Sequence, residues 1–164
     1  MSNLTLLIPA KFEFEYLPIF LKELENYDYK KIVILEQNDN KTIEAAKQFT
    51  DVEILYQTKS GYGNALIEGI NHTNTEYFSI INADGSMNPI ELEKMLKEIT
   101  NRDFDIVFGS RYMNNAGSED DDLITSVGNF IFSFIGKVFF KLKISDILYT
   151  YVVGKTNHVK NLNL

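Results

Sequence analysis

The sequence predicts an α/β fold, a single domain over residues 1–164 with a mostly parallel central sheet flanked by helices. Three observations carry it: five short apolar runs of strand length, helical periodicities between them, and turn-forming residues at the boundaries. Leu4 to Ile8 is the first strand, an apolar run of the kind found in strands buried on both faces. Leu17, Phe20, Leu21 and Leu24 follow at helical spacing. Lys31 to Leu35 forms the second strand, and Ile43, Ala45 and Ala46 mark a short second helix. Val52 to Tyr56 is the third strand, followed by a helix marked by Ala65, Leu66, Gly69 and Ile70. After the fourth strand, Tyr77 to Ile81, Asn88 reads as an N-cap and Pro89 as a first-turn residue of a helix with Leu92, Met95, Leu96 and Ile99 as its buried stripe. Asp105 to Phe108 closes the series. Sheets of this kind bind ligands in the crevice beyond the carboxyl ends of their strands, so functional residues are expected directly after strands.

Composition narrows the chemistry. The chain has 164 residues, enough to bury one core without disulfides or a structural metal. Absence of cysteine excludes disulfides, thiol catalysis and thiolate metal sites, and two histidines, His72 and His158, exclude a histidine-rich zinc site. Any metal must therefore rest on oxygen ligands. A formal charge of -7 with scattered lysines argues against nucleic acid as a partner, but not against a small anionic ligand bridged by a cation. The opening Met-Ser-Asn-Leu-Thr-Leu-Leu-Ile-Pro lacks the basic region and long apolar segment of a signal peptide, which predicts a cytoplasmic protein. Val127 to Phe140 is apolar but interrupted by Lys137, and it falls short of the roughly 20 residues that span a bilayer.

Four segments carry candidate chemistry. Asn82-Ala83-Asp84-Gly85-Ser86 follows the fourth strand, so an amide and a carboxylate two residues apart emerge at the ligand-binding edge. A carboxylate there needs a partner; a hard divalent cation shared with substrate phosphates is one, and an ordinary Asp-Gly-Ser turn is the alternative. Glu13 follows the first strand and Glu36 the second, acceptors suited to a nucleobase or ribose hydroxyls, or else solvated loop residues. Lys59-Ser60-Gly61-Tyr62-Gly63-Asn64-Ala65-Leu66 is a glycine-rich loop entering a helix whose amino end suits a nucleotide. It lacks the third glycine of a dinucleotide fingerprint and follows the third strand instead of the first, which disfavours a dinucleotide-dependent oxidoreductase. Gly109-Ser110-Arg111-Tyr112 places a guanidinium after the fifth strand, for a diphosphate or for an acidic neighbour.

In order and spacing, Pro9-Ala10-x-x-Glu13, Lys59-x-Gly61-Tyr62-Gly63-x-Ala65-Leu66, Asn82-Ala83-Asp84-Gly85-Ser86 and Gly109-Ser110-Arg111-Tyr112 resemble family 2 glycosyltransferases of the GT-A, Rossmann-like fold. Within that family the resemblance is to the polyprenyl-phosphate (dolichol-phosphate mannose or glucose) sugar synthases, and Ser126-Val127-Gly128-Asn129 and Asp146 extend it to about Leu164. It implies inverting transfer of a sugar from a UDP- or GDP-linked donor to an acceptor, a glycan or a lipid phosphate, with Mg or Mn on the donor diphosphate. The metal is assigned to Asp84 and Asn82. Pro9, Ala10, Glu13, Glu36, Lys59, Gly61, Asn82, Ala83 and Asp84 line the nucleotide pocket. Arg111 sits by the diphosphate or an acceptor phosphate, and Asp146 is a candidate base beside the run Glu119-Asp120-Asp121-Asp122. Two departures stand out: Asn82 replaces the first acid of an Asp-x-Asp motif, and Glu36-Gln37 replaces an acidic pair. They leave a second reading open, a sugar-nucleotide-binding or assembly module with weakened catalysis.

A helix from Leu123 to Leu142 is expected to turn Val127, Phe130, Ile131, Phe134, Val138, Phe139 and Leu142 toward the core, with Asn129, Ser133, Lys137 and Lys141 on the opposite ridge. Phe132 and Phe140 fall outside that stripe beside the lysines, a face for a homodimer or a membrane-surface contact.

Overall fold

A computed structural model describes residues 3–112, 123–142 and 144–164, with backbone alone over 123–127. The chain divides into two compact units, Met1–Val107 with Val152–Leu164, and Phe108–Tyr151.

The first unit is built on a six-stranded sheet in the order β3-β2-β1-β4-β6-β5. Its strands are β1 (Leu4–Ala10), β2 (Lys30–Leu35), β3 (Val52–Tyr56), β4 (Tyr77–Ile80), β5 (Ile106–Phe108) and β6 (Val152–Lys155). The pairs β1–β2, β1–β4 and β2–β3 are parallel, and β4–β6 is antiparallel. The five expected strands are present, with ends within two residues of expectation. β6 is the addition: Val152-Val153-Gly154-Lys155 is too short to register as a periodic run, yet it inserts between β4 and β5.

Leu6, Leu7, Ile8, Val33, Ile34 and Leu35 are fully buried, as strands covered on both faces require. One face gathers Leu7, Ile32, Ile34, Phe78, Ile80 and Val152 with Ala65 and Ile70 of α3 (Tyr62–His72). α1 (Tyr16–Leu24) buries Leu17, Phe20, Leu21 and Leu24, the four residues its spacing predicted. α2 (Asn40–Ala46) buries Ile43, Ala45 and Ala46. α4 (Glu91–Asn101) buries Leu92, Met95 and Ile99 but begins later than expected. Asn88 accepts from the Ile90 amide at 3.0 Å through its side chain and from the Glu91 amide at 3.2 Å through its carbonyl, so it caps a separate turn ahead of the helix.

Gly154 has a packing reason. It lies opposite Phe78 in the β4–β6 register, and a Cβ there would sit 2.7 Å and 2.8 Å from ring carbons of Phe78. Gly154→Ala is expected to cost about 1–3 kcal/mol by overpacking, read as a lower urea midpoint at unchanged slope.

The sheet opens where the site lies. Pairing of β1 with β4 ends at Leu7↔Ile80, followed by one last bond from the Ile81 amide to the Leu7 carbonyl at 3.0 Å, whereas β1 stays paired with β2 to Ala10↔Leu35. Pro9 therefore sits where the β4 side has already parted, and its missing N–H breaks no ladder. The crevice lies between neighbours whose connections run to opposite edges of the sheet, the switch point at which such folds bind ligands.

The second unit holds α5 (Leu123–Phe140) and the segment that returns to β6. α5 corrects the sequence expectation. Asn129, Ser133 and Gly136 are the buried positions, while Phe130, Ile131, Phe134, Val138 and Phe139 are exposed. Of the ridge read as outward, Asn129 and Ser133 turn inward, whereas Lys137 and Lys141 are exposed as expected. The Leu148 amide donates to Asn129 Oδ1 at 3.2 Å, the Ile147 amide donates to Ser133 Oγ at 3.4 Å, and a Cβ on Gly136 would lie 3.1 Å from Ile147. Small and polar residues at helical spacing thus bind the 145–148 backbone, whose amides need acceptors more than its surface needs oil. Val127 and the run Glu119 to Asp122 lie outside the described side chains. Among the described residues no helix is long and apolar enough to cross a membrane.

A short last helix, α6 (Thr156–Lys160), follows β6 and packs beside α3.

Candidate functional site

Because β1, β2, β3 and β4 run parallel, the loops that follow them emerge at one end of the sheet. Glu36 joins three of these loops. Its Oε1 accepts from Lys11 Nζ, after β1, at 3.0 Å and from Ser60 Oγ, after β3, at 2.8 Å. The Lys11 hydrogen bond, then that from Ser60, holds the Glu36 carboxyl below its ordinary range, so it is ionised at neutral pH. Both bonds engage Oε1. Lys11 is a site residue that the sequence did not single out, since a lone lysine in a polar loop carries no spacing signal.

The β1 loop is held from a second side. The Phe12 amide donates to Asp39 Oδ2 at 2.6 Å, and Asp39 Oδ1 caps α2 by accepting from the Thr42 amide at 3.3 Å. Phe12 itself stands at φ 61, a strained value for a bulky residue that the Asp39 bond helps to hold. Burial pushes the Asp39 carboxyl up, but the Phe12 and Thr42 bonds outweigh it and leave the pKa lowered. A lowered carboxylate contributes stability that is present above its unfolded value and is lost as the pH falls through the folded one. Asp39→Ala is therefore expected to cost about 1–2 kcal/mol at pH 7. The gap to wild type should shrink as urea titrations move below the ordinary aspartate range. Asp39, three residues after Glu36, is thus turned to the backbone and not to the crevice. Its position one residue ahead of a helical pattern was the available signal.

The loop between β3 and α3 is pinned by Glu68, which accepts from the Thr58 amide at 2.8 Å and the Lys59 amide at 3.2 Å, while the Lys59 carbonyl accepts from Gln57 Nε2 at 2.6 Å. Gly61 precedes α3 at φ 110, a value only glycine adopts freely, and the helix then begins at Tyr62. The Tyr62 hydroxyl donates to Asn82 Oδ1 at 3.1 Å and so ties this loop to the end of β4.

At the end of β4 Ala83 is buried and Asp84 exposed. Asp84 Oδ1 accepts from the Ser86 amide at 2.9 Å over Gly85 at φ 75. The turn chemistry is therefore real, and it uses one carboxylate oxygen. Glu13 is partly buried; its pKa is raised first by that burial and then by the Asp84 charge, which puts the two acids within electrostatic reach. Such a pair carries negative potential that a cation would neutralise. Among the described residues no group of three or more His, Cys, Asp or Glu gathers as a closed metal cage. One carboxylate and one amide oxygen, two residues apart, fit a hard cation that draws its remaining ligands from phosphate oxygens.

Arg111 and Asp146 belong to the second unit, where they meet each other. Arg111 Nε and its backbone amide donate to Asp146 Oδ2 at 2.9 Å and 3.2 Å, and a terminal guanidinium nitrogen donates to Oδ1 at 3.1 Å. Asp146 is fully buried, and the guanidinium lies over the Tyr149 ring at 5.0 Å. With both oxygens engaged, Asp146 is built to hold Arg111 rather than to receive a proton from solvent. Pro9, Ala10, Glu13, Glu36, Lys59, Gly61, Asn82, Ala83 and Asp84 all lie at the strand ends of the first unit.

Comparison with known proteins agrees with this layout. The sequence model described as Glycosyl transferase family 2 matches residues 5–162. An uncharacterized protein of Methanocaldococcus jannaschii is 31% identical over 138 residues, covering 82% of this chain and 57% of its own length. An uncharacterized glycosyltransferase of Mycobacterium bovis is 28% identical over 107 residues, 65% of this chain and 48% of its own. In fold the chain is similar to mannosyl-3-phosphoglycerate synthase from Rubrobacter xylanophilus, with TM-score 0.72 at 13% identity over 94% of this chain and 53% of that one. It is also similar to glucosyl-3-phosphoglycerate synthase from Mycobacterium tuberculosis, solved with Mn2+, uridine diphosphate and glucosyl-3-phosphoglycerate, with TM-score 0.71 at 11% identity over 94% and 57%. The chain thus spans about half the length of the curated relatives it matches.

Proposed function

We propose, from the premise that the chain belongs to glycosyl transferase family 2, that it binds a nucleoside-diphosphate sugar through the crevice between β1 and β4 and transfers the sugar with inversion. The observation that carries this is the convergence of Glu13, Glu36, Asn82 and Asp84 at the ends of three parallel strands beside a switch point. Asp84, with the Asn82 amide oxygen, would hold Mg or Mn; when bound, that ion supplies positive charge to the departing diphosphate. Glu36 Oε2 and Glu13 accept from ribose or base, and Lys59, Gly61, Pro9, Ala10 and Ala83 line the pocket. In the second unit Arg111, oriented by Asp146, is assigned to an anionic oxygen. A phosphate acceptor arrives already ionised and needs no base, which suits a site in which Asp146 is committed to Arg111. The ordered motifs favour the polyprenyl-phosphate sugar synthase branch, with a lipid phosphate or a glycan as acceptor.

A second reading, a binding or assembly module with weakened turnover, draws on Asn82, a neutral and weaker ligand than carboxylate. Calorimetric titration with UDP, GDP and NAD, each with and without Mn, tests the shared premise. Nucleoside diphosphate binding that requires Mn supports both readings, and failure of UDP and GDP alike sinks both. Metal-dependent hydrolysis of a sugar nucleotide then separates the enzyme from the module.

A further inference from the structure

Among the described residues four other than glycine hold a positive φ: Phe12 at 61, Asp103 at 51, Lys141 at 54 and Asn163 at 52. Asp103 and Asn163 are of the short polar kind that tolerates the left-handed region, and Lys141 directly follows α5, where helices commonly end in that conformation. Phe12 has neither reason. An asparagine or a glycine would turn the chain from β1 toward α1 at lower cost. Nor does the fold use the ring: Phe12 is 70% exposed, and among the described residues no other aromatic ring stacks on it. What holds the backbone is the buried Asp39, whose two carboxylate oxygens accept from the Phe12 and Thr42 amides. A buried carboxylate thus fixes a strained residue that shows an aromatic face to solvent, and strain maintained in this way points to a ligand.

The neighbours of the ring select the part of the ligand it meets. Lys11 Nζ lies 5.6 Å from the Phe12 ring centroid and 3.0 Å from Glu36 Oε1, so one ammonium is shared by the ring and the acid assigned to ribose or base. Asn82 and Asp84, assigned to the diphosphate end, follow β4, whereas Lys11, Phe12 and Glu36 follow β1 and β2 on its other side. A flat apolar face next to a hydrogen-bond acceptor suits a planar base whose edge carries donors. It does not suit a diphosphate, which an apolar ring leaves without partners.

We propose that Phe12 is a stacking platform for the nucleobase of the donor, set in position before the ligand arrives. A base laid on the ring covers apolar surface that the free protein exposes, and because Asp39 has already fixed the backbone, little ordering is left to be done on binding. Stacking is blind to the identity of the base, since every base has a π-face, so discrimination between bases is left to hydrogen-bonding groups such as Glu36. The proposal rests on the sugar-nucleotide reading of the crevice.

Calorimetry in the presence of Mn tests it with UDP, GDP and inorganic pyrophosphate, which carries the diphosphate without a base. Phe12→Asn, suited to the same backbone, is expected to weaken UDP and GDP alike by about tenfold and to leave pyrophosphate unchanged. Its urea midpoint should stay level or rise, because the strain is relieved and little buried surface is lost. Phe12→Trp should keep the wild-type affinity for both nucleotides, and Phe12→Leu, apolar but not flat, should fall to the level of the asparagine variant. Equal UDP affinity in Phe12→Asn and wild type overturns the proposal and leaves the sugar-nucleotide reading standing; lower turnover alongside it would assign the ring to the acceptor. Loss of pyrophosphate binding together with UDP, or a clearly lower urea midpoint, also overturns it by giving the ring a structural role. Wild-type protein that binds none of the three overturns the proposal and the sugar-nucleotide reading together.

Discussion

Asp84→Ala is expected to remove the Mn-dependent part of nucleoside diphosphate binding, a loss on the order of 100-fold in affinity. Turnover of a sugar nucleotide should fall by about 10² to 10³. Asp84 is the carboxylate at the end of β4, and Asn82 Oδ1 already accepts from Tyr62, so without Asp84 the local donor set shrinks to one engaged amide oxygen. The metal-free protein should respond in the opposite sense. Glu13 is raised by burial and by the Asp84 charge. A carboxyl whose folded pKa lies above its unfolded one favours the native state at low pH and costs stability as the pH rises through that range. Removing Asp84 relieves part of this cost, so the urea midpoint of the apo variant above the carboxylate range should be unchanged or slightly higher. Lost binding with retained stability separates a ligand from a structural turn; equal Mn-dependent affinity in variant and wild type would reduce Asp84 to its Ser86 hydrogen bond. The converse change, Asn82→Asp, supplies a second carboxylate and is expected to raise Mn-dependent affinity about tenfold.

The strands and the four-residue stripe of α1 were legible because burial on two faces leaves continuous apolar runs and helices leave a 3.6-residue period. β6 was not, since four residues carry no period and its place depends on Phe78 finding Gly154 across the ladder. α5 shows a deeper limit. Periodicity locates the apolar face of a helix, but which face turns inward is decided by what the neighbouring chain needs, here acceptors for the Ile147 and Leu148 amides. In the site, Asp84, Glu13 and Glu36 could be named because each follows a strand. Lys11, Glu68 and Tyr62 act through contacts at long sequence separation that no spacing encodes.

Asp146→Ala is expected to destabilise the protein by about 3–5 kcal/mol, the cost of breaking a buried ion pair and leaving one charge behind. Asp146 is fully buried and the Arg111 side chain 19% exposed, so the guanidinium stranded by the substitution cannot be fully rehydrated in place. Two side-chain bonds and the Arg111 amide lose their acceptor together. With no tryptophan and nine tyrosines in the chain, urea unfolding can be followed by tyrosine fluorescence, to which Tyr149 beside Arg111 contributes. Arg111→Met combined with Asp146→Leu should recover much of the loss, because replacing both charges by apolar groups removes the desolvation cost with the attraction. Asp146→Asn discriminates between roles. It keeps the shape but not the charge, so a residue that orients Arg111 should lose stability and turnover together, and at high acceptor concentration turnover should partly return. If Asp146→Asn keeps the wild-type urea midpoint and loses turnover alone, Asp146 is the base that takes the acceptor proton, and its bond to Arg111 must open before each transfer.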